Sequence, residues 1–446
     1  MGILERTALH TLSLAVFGTA LVQPAASADL WQYYGEALTH DATFASQRST
    51  LEASLEKQPQ GLSQLLPQIG VNATESYNST VIVEPPLPTF GLSYPSRAFG
   101  VQLTQPLFRW DRYQQYEQSK LQITLAEAQF VQAQQDLIVR VAQAYFDVLQ
   151  AEDNITFLTA QKEAISEQLA SAERNFEVGT ATITDTKEAQ SRYDLAISQE
   201  IAAQSDLEVK QSALEQIIGR PPAGLAHLRQ GISLGNPDPA RVDAWIGASE
   251  TGNPGVIQSE ASLQIAQRQI EVNRAGHYPT ADLVAGRQFS RSPTSIIPPA
   301  IGSTATNTIG VQVSIPIFSG GYTSSKVREA VDLRGKAEND LEAAKRSAVQ
   351  SARQSFVGVT SGLAQIRALE AAERSSESSL ESNKVGYRVG VRINIDVLNA
   401  QQQLFSTQRD LAKARYDTLM NSLKLKSAAG MLGEHDLQIM NALLEH

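Results

Sequence analysis

The chain has no cysteine, and aromatic residues make up only 6% of its 446 positions. Without cysteine there is no disulfide framework, no thiol nucleophile and no thiolate metal site. So few aromatics argue against several large globular cores, whereas the abundant Ala, Gln, Ser and Glu suit long helices. Histidine is sparse: His40, His227, His277, His435 and His446 lie scattered, with no metal-ligand spacing among them. No phosphate-binding loop or dinucleotide fingerprint is present. Gly231-Ile232-Ser233-Leu234-Gly235 fits G-x-S-x-G, but Asn236-Pro237-Asp238-Pro239 follows where a nucleophile elbow requires a helix, so the stretch reads as a loop. Neither enzymatic activity nor a cofactor is expected. Basic residues are dispersed in a chain of net charge -10, which argues against nucleic acid as a partner. Long apolar runs are missing too, and no stretch after the N-terminus offers the ~20 consecutive apolar residues of a spanning helix.

What is present begins with a leader. Arg6 precedes an uncharged stretch over 7–25, and Ala26-Ser27-Ala28 supplies an A-x-A site before Asp29, so residues 1–28 read as a cleaved signal peptide. The remainder is duplicated. Phe99-Gly100-Val101-Gln102-Leu103-Thr104-Gln105-Pro106-Leu107-Phe108 recurs as Ile309-Gly310-Val311-Gln312-Val313-Ser314-Ile315-Pro316-Ile317-Phe318. The register persists from Phe176-Glu177-Val178-Gly179 to Tyr387-Arg388-Val389-Gly390, and both copies close alike, at Ile218-Gly219 and Ala429-Gly430. The predicted organisation is a first repeat over 29–219, a linker over 220–252, a second repeat over 253–430 and a tail over 431–446.

Within each copy the hydrophobic period changes from two to three and a half. Strands are predicted at about 67–78 and 97–108, then 279–291 and 307–318; Phe99, Val101, Leu103 and Leu107 oppose the small or polar Gly100, Gln102 and Thr104. The Pro-, Gly- and Ser-rich stretches 84–96 and 292–308 read as loops. Helical hairpins follow at about 112–218 and 322–428, with tips near 179–185 and 390–396. Leu137, Val141, Ala144, Val148, Ala151, Ile155 and Leu158 form a heptad seam, and Val397, Leu404, Leu411 and Leu425 keep a seven-residue beat. A helix uninterrupted over 112–178 would reach on the order of 100 Å. Such a rod needs neighbours along its length, because burial of the seam supplies most of its stability.

Strands of about ten alternating residues match the length of a tilted outer-membrane strand, and an apolar face backed by a small polar face suits a water-filled barrel. Four strands cannot close one. An open edge in hydrocarbon leaves backbone groups unsatisfied at several kcal/mol each, so copies would have to pool their strands. Three copies would supply twelve, enough to leave a lumen. Periodicity alone leaves a second possibility open, a soluble sheet that covers its apolar face with its own helices.

The residues also resemble a known family. Ala142-Gln143-Ala144-Tyr145-Phe146-Asp147-Val148-Leu149, the Phe-x-Val-Gly-x-x-x-Ile-Thr-Asp running from Phe176 to Asp185, and the Tyr-x-Val-Gly-x-Arg-x-x-x-Asp-Val-Leu running from Tyr387 to Leu398 look like the TolC family of outer-membrane efflux and type I secretion channels. Leu65-Leu66-Pro67-Gln68 and the Pro-Ile-Phe-x-Gly-Gly ending at Gly321 extend the likeness over nearly all of the mature chain. The fold class implied is mainly α with membrane β: two tandem repeats, and a homotrimer whose twelve-stranded barrel in the outer membrane continues as a periplasmic helical tunnel. Implied partners are a periplasmic adaptor, an inner-membrane pump or ABC transporter, and outer-membrane lipid.

The resemblance also assigns roles at the hairpin tips. Gly179, Thr180, Gly390 and Val391 would be grasped by the adaptor, while Tyr387, Arg392, Asp396, Thr184 and Asp185 would hold the tunnel entrance shut. Three symmetry-related Asp396 carboxylates would repel one another and attract a cation. Asn399 stands where the best-known relatives carry a second aspartate, which makes that constriction less electronegative. Two other classes fit parts of the chain. A periplasmic adaptor has one coiled-coil hairpin between small β domains, and a structural coiled-coil protein would have no amphipathic strands.

Overall fold

The computed structural model describes residues 29–83, 89–229, 231–232, 234–296 and 299–445. The expected signal peptide, Ser233 and residues 84–88 of the stretch 84–96 that reads as loop lie outside these residues. The chain enters through three helices, α1 (Leu30–His40), α2 (Ala42–Leu55) and α3 (Lys57–Ser63), then forms strands β1 (Gln68–Ile82) and β2 (Phe90–Phe108). Two rods follow, α4 (Trp110–Glu177) and α5 (Ile183–Ile218), and then α6 (Val242–Gly252) and α7 (Pro254–Arg274) lead back to the sheet. The pattern then repeats as β3 (Thr280–Ile296), β4 (Pro299–Ser314), α8 (Tyr322–Arg388) and α9 (Asn394–Ala428), and α10 (Glu434–Asn441) closes the chain. Among the described residues, no helix is long and apolar enough to cross a membrane.

The four strands form one antiparallel sheet in the order β1-β2-β3-β4. Register aligns Ile69 with Leu103, Leu103 with Ala285 and Ala285 with Ile309, so the apolar positions form continuous rungs on one face. The other face carries rungs such as Asn72, Gly100, Gln288 and Thr306. Exposed Ile69, Val71, Phe99, Ile309, Val311 and Val313 lie bare on the apolar face. Among the described residues no helix covers it, so the possibility of a sheet folded back onto its own rods fails.

The strands are longer than the sequence suggested, since β2 begins at Phe90 and β4 at Pro299, inside stretches that read as loops. The reason is visible in the pairing. The β2–β3 ladder stops at Arg97 and Arg291, beyond which β1–β2 and β3–β4 continue as separate two-stranded ribbons. There Pro95 and Pro293 sit on free edges, where no ladder partner needs their missing amide hydrogen. Toward the helices the difference is opposite: β4 ends at Ser314, short of Phe318. Pro106-Leu107-Phe108 stays beside β3, whereas its copy Pro316-Ile317-Phe318 pairs with no strand among the described residues. Ile317 there is 95% exposed.

The 68 residues of α4 make a rod of about 100 Å. It packs along α5 over the half far from the sheet, along α7 over the near half, and against α9. Its seam residues Leu137, Val141, Val148, Ala151, Leu158, Ile165 and Ala172 are buried, and α5 answers with Ala189, Ala196 and Ala203, seven apart. Alanine at that beat lets the two backbones approach closely. On α9 the beat of Val397, Leu404, Leu411 and Leu425 is completed by Thr418, which is buried because its hydroxyl donates to the Ala414 carbonyl. Each fully buried Leu or Val contributes roughly 1.5–3 kcal/mol. The outer faces of α5 and α8 keep Leu195, Ile201, Val209, Val331, Leu333 and Val357 exposed.

The largest core lies midway along the rods. There α1 and α10, from opposite ends of the chain, pack Leu30, Tyr33, Tyr34, Leu437 and Met440 onto Leu137, Tyr145, Phe146 and Leu149 of α4 and Leu423 of α9. Asn441 fastens the two termini by accepting from the Trp31 amide and donating to Asp29. The linker and tail therefore form a belt, in which Leu228 bridges Leu444 and α6 packs on α8. Where α6 meets α7, a Cβ on Gly430 would stand 1.8 Å from the Gly252 carbonyl oxygen, so only glycine allows that crossing. Burial pulls the Asp41 carboxyl up, but two bonds from Arg140 and the Phe44 amide overcome this and hold it below its usual range. In the same belt His227 sits 3.6 Å from Asp153 and 3.5 Å from Glu152. Asp153 foremost, then Glu152 and Glu445, keep the imidazole protonated above its ordinary range, against the opposing effect of burial.

Candidate functional site

The two rod pairs end in near-identical turns at the end of the molecule far from the sheet. In the first, Gly179 takes φ 79°, its amide donates to the Phe176 carbonyl at 3.0 Å, and the Thr180 amide reaches Asn175 at 2.8 Å. In the second, Gly390 takes φ 78°, its amide donates to Tyr387 at 3.1 Å, and the Val391 amide reaches Gly386 at 2.9 Å. This crossed pair of bonds satisfies the last carbonyls of a helix and requires a left-handed residue, which glycine supplies without strain. Val178, Val389 and Val391 project into solvent from the turns, each at least 68% exposed. An apolar residue held so open on a rigid turn is suited to contact with another protein.

The other residues predicted at the tips fall into two groups. Thr182 and Asp185 cap α5 reciprocally: the Asp185 amide donates to the Thr182 hydroxyl at 3.3 Å, and Asp185 accepts from the Thr182 amide at 2.9 Å. Thr184 is exposed beside them. On the second hairpin Arg392 stands 3.7 Å from Asp396, one turn along, and both side chains are partly solvated. Such a pair contributes under about 1 kcal/mol by itself. Within one copy, therefore, Arg392 and Asp396 meet each other, and neither touches Thr184 or Asp185.

What joins the first hairpin to the second is a set of amide and hydroxyl groups together with one guanidinium. Asn175 donates to the Tyr387 hydroxyl at 3.0 Å. Gln168 donates to Asn394, which is 2% exposed and in turn reaches the Asp185 carbonyl at 3.4 Å. Arg192 donates to Gln402 at 2.6 Å and to Asn399 at 3.2 Å, so Asn399 serves as an acceptor for a cation of the first hairpin. Ile165, Ala189, Ala196 and Leu398 form the small apolar core under these bonds, and Tyr387 packs on a second one made by Leu380, Val397 and Leu404. Of the predicted gate residues, Tyr387 and Asn399 bond between hairpins through their side chains and Asp185 through its backbone carbonyl. Asn175, Gln168 and Arg192 are not singled out by sequence, and Asn394 reads there only as a group available near the start of its helix. Their partners lie more than 200 residues away, and only Asn394, beside Asp396 in the tip motif, carried any local signal.

A sheet with one bare apolar face, standing on paired rods of about 100 Å with exposed turns at their far ends, is the protomer architecture of outer-membrane exit channels. The chain belongs to the outer membrane efflux protein family, whose profile matches residues 33–220 and 245–431, one match in each copy. It is 31% identical over 439 residues to the outer membrane protein TolC of Vibrio cholerae, covering 98% of this chain and 97% of that one. It is 32% identical over 448 residues to the alkaline protease secretion protein AprF of Pseudomonas aeruginosa, covering 97% and 91%. In fold it matches the CmeC outer membrane channel of Campylobacter jejuni with a TM-score of 0.79 at 18% identity, over 98% of both chains. The protein is thus an exit duct in the outer membrane of a Gram-negative bacterium, with its helical mass on the periplasmic side.

Proposed function

We propose that three copies close into a twelve-stranded barrel and a continuous helical tunnel, and that the hairpin tips gate the tunnel's periplasmic entrance. The observation that carries this reading is the sheet with two unpaired edges, β1 and β4, and an uncovered apolar face. In hydrocarbon those edges are tolerable only when another copy pairs with them. The exposed apolar faces of α5 and α8 call for the same neighbour. A periplasmic adaptor grips the Gly179–Thr180 and Gly390–Val391 turns, and an inner-membrane transporter supplies the energy. Relatives named for protease secretion favour type I secretion cargo, while those named for efflux favour small molecules; the duct is a shared exit for either.

In the closed trimer Arg392 of one copy reaches Thr184 and Asp185 of the next, while Tyr387 and Asn394 hold each copy's own hairpins together. Arg392→Ser should raise single-channel conductance in planar bilayers several-fold. An unchanged closed-state conductance would reject the gate. Assembly is tested separately: the protein should sediment with outer membranes and run as an oligomer before boiling. Recovery as a soluble monomer would reject the barrel.

A further inference from the structure

We propose that the apolar face of the sheet carries a binding site for the phosphate of an outer-leaflet glycolipid, formed by Arg97 and Arg291 with Arg287 beside them. The proposal rests on the reading of the sheet as one third of an outer-membrane barrel. Register places Arg97 of β2 directly opposite Arg291 of β3, both on the face that carries Phe99 and Phe289. Like charges directly opposed on neighbouring strands repel, and such a rung is destabilising unless an anion lies between its members. One acid is available on the other side: Glu75 of β1 faces Arg97 and accepts from its Nε at 2.8 Å. Arg291 faces Ser303 on its far side and has no carboxylate partner among the described residues. Arg287, four residues back on the same strand and face, lays its guanidinium 4.8 Å from the Phe289 ring centroid. The other acid among the described strand residues, Asp282, is held by Arg109 at the helix end of the sheet.

The rung stands at the right depth. The strands leave the helices near Thr280, so the hairpin ends face outward. From Ala281 to Phe289 this face spans eight steps of β3, with Arg287, folded onto the Phe289 ring, its one charged side chain. At about 3.4 Å each and a tilt of about 40° this rises about 21 Å, close to the ~25 Å apolar band of an outer-membrane barrel. Arg97 and Arg291 therefore lie where hydrocarbon gives way to the headgroups of the outer leaflet. A shallow depression of about 400 Å³ between Arg97, Phe99, Phe289, Arg291, Ser303 and Ala305 has an aromatic floor and a cationic rim. An acyl chain fits the floor and a phosphate fits the rim, where guanidinium groups offer paired donors.

The test uses the purified oligomer in nanodiscs, with native mass spectrometry to count bound lipid. A bis-phosphorylated glycolipid should remain on the wild type. Its affinity should fall at least fivefold in Arg97→Gln/Arg291→Gln, stay within twofold in Arg291→Lys, and not fall in Glu75→Gln. Equal binding by the double variant, by the dephosphorylated glycolipid or by a zwitterionic phospholipid overturns the proposal. So does displacement by millimolar inorganic phosphate, which marks a simple anion pocket. If the double variant does not assemble, Arg291→Gln alone decides, because it leaves the Arg97–Glu75 pair intact. A wild type recovered as soluble monomer sinks the barrel itself, whereas an intact oligomer that ignores phosphate sinks only the lipid site.

Discussion

The two hairpin tips share a backbone and differ in what holds them. The α4–α5 turn is self-contained: Thr182 and Asp185 cap each other, and the Thr180 hydroxyl donates to the Asn175 carbonyl. The α8–α9 turn has no side-chain cap at Ile393, and its buried Asn394 is committed to Gln168 and the Asp185 carbonyl of the other hairpin. Duplication thus delivered two copies of one turn, and side-chain divergence made the second dependent on the first. A dependent element can be released without unfolding, whereas a self-capped one keeps its form when its neighbour leaves.

The strongest way to break this contrast is to cut the neutral bonds. Gln168→Leu with Asn394→Ala should raise closed-state conductance several-fold in planar bilayers, while Thr182→Ala leaves it within about twofold. Equal increases would show that the tips do not differ. Next come the turn glycines, which should behave alike because their backbones are alike. Gly179→Ala and Gly390→Ala each place a side chain in the left-handed region at about 1–2 kcal/mol, with nothing near the new methyl to add a clash. Limited proteolysis should show both tips nicked faster to a similar degree. Thr182→Ala should weaken the start of α5 by about 1 kcal/mol, read as faster amide exchange over its first turn, with the α9 start unchanged.

The smallest effect lies in the belt and serves as a control. His227 has a raised pKa in the fold, so its stabilisation is complete below about pH 6.5 and is lost as pH rises through the higher folded value. Burial likewise raises Glu152, whose ionisation weakens the belt from about pH 4.5 upward. Thermal stability should therefore decline as pH rises above about 6.5, by under about 1 kcal/mol because the imidazole is half exposed. His227→Gln should flatten that decline and leave tip conductance unaltered.

Periodicity carries local information, and what was legible follows from that. The seams of α4 and α9 and the apolar rungs of the sheet repeat at three and a half or at two residues, the turn glycines recur through the duplication, and each appears where the pattern put it. The ribbon ends of the strands did not, because Ser-, Gly- and Pro-rich sequence reads as loop whenever neither face is buried. The bonds between hairpins were illegible for another reason: a glutamine on a rod surface has no distinguishing context until folding brings Asn394 beside Gln168. The Arg109–Asp282 pair and the union of α1 with α10 are equally silent in sequence, since neither has a counterpart in the duplicated copy.

The fastening of Asp29 and Trp31 to Asn441 makes α1 and α10 one structural unit. Without α10 the fold loses Leu437 and Met440, and with them part of the cover over Tyr33 and Tyr145. Damage to α10 would therefore be felt at α1, although the Trp31–Asn441 bond spans 410 residues of sequence.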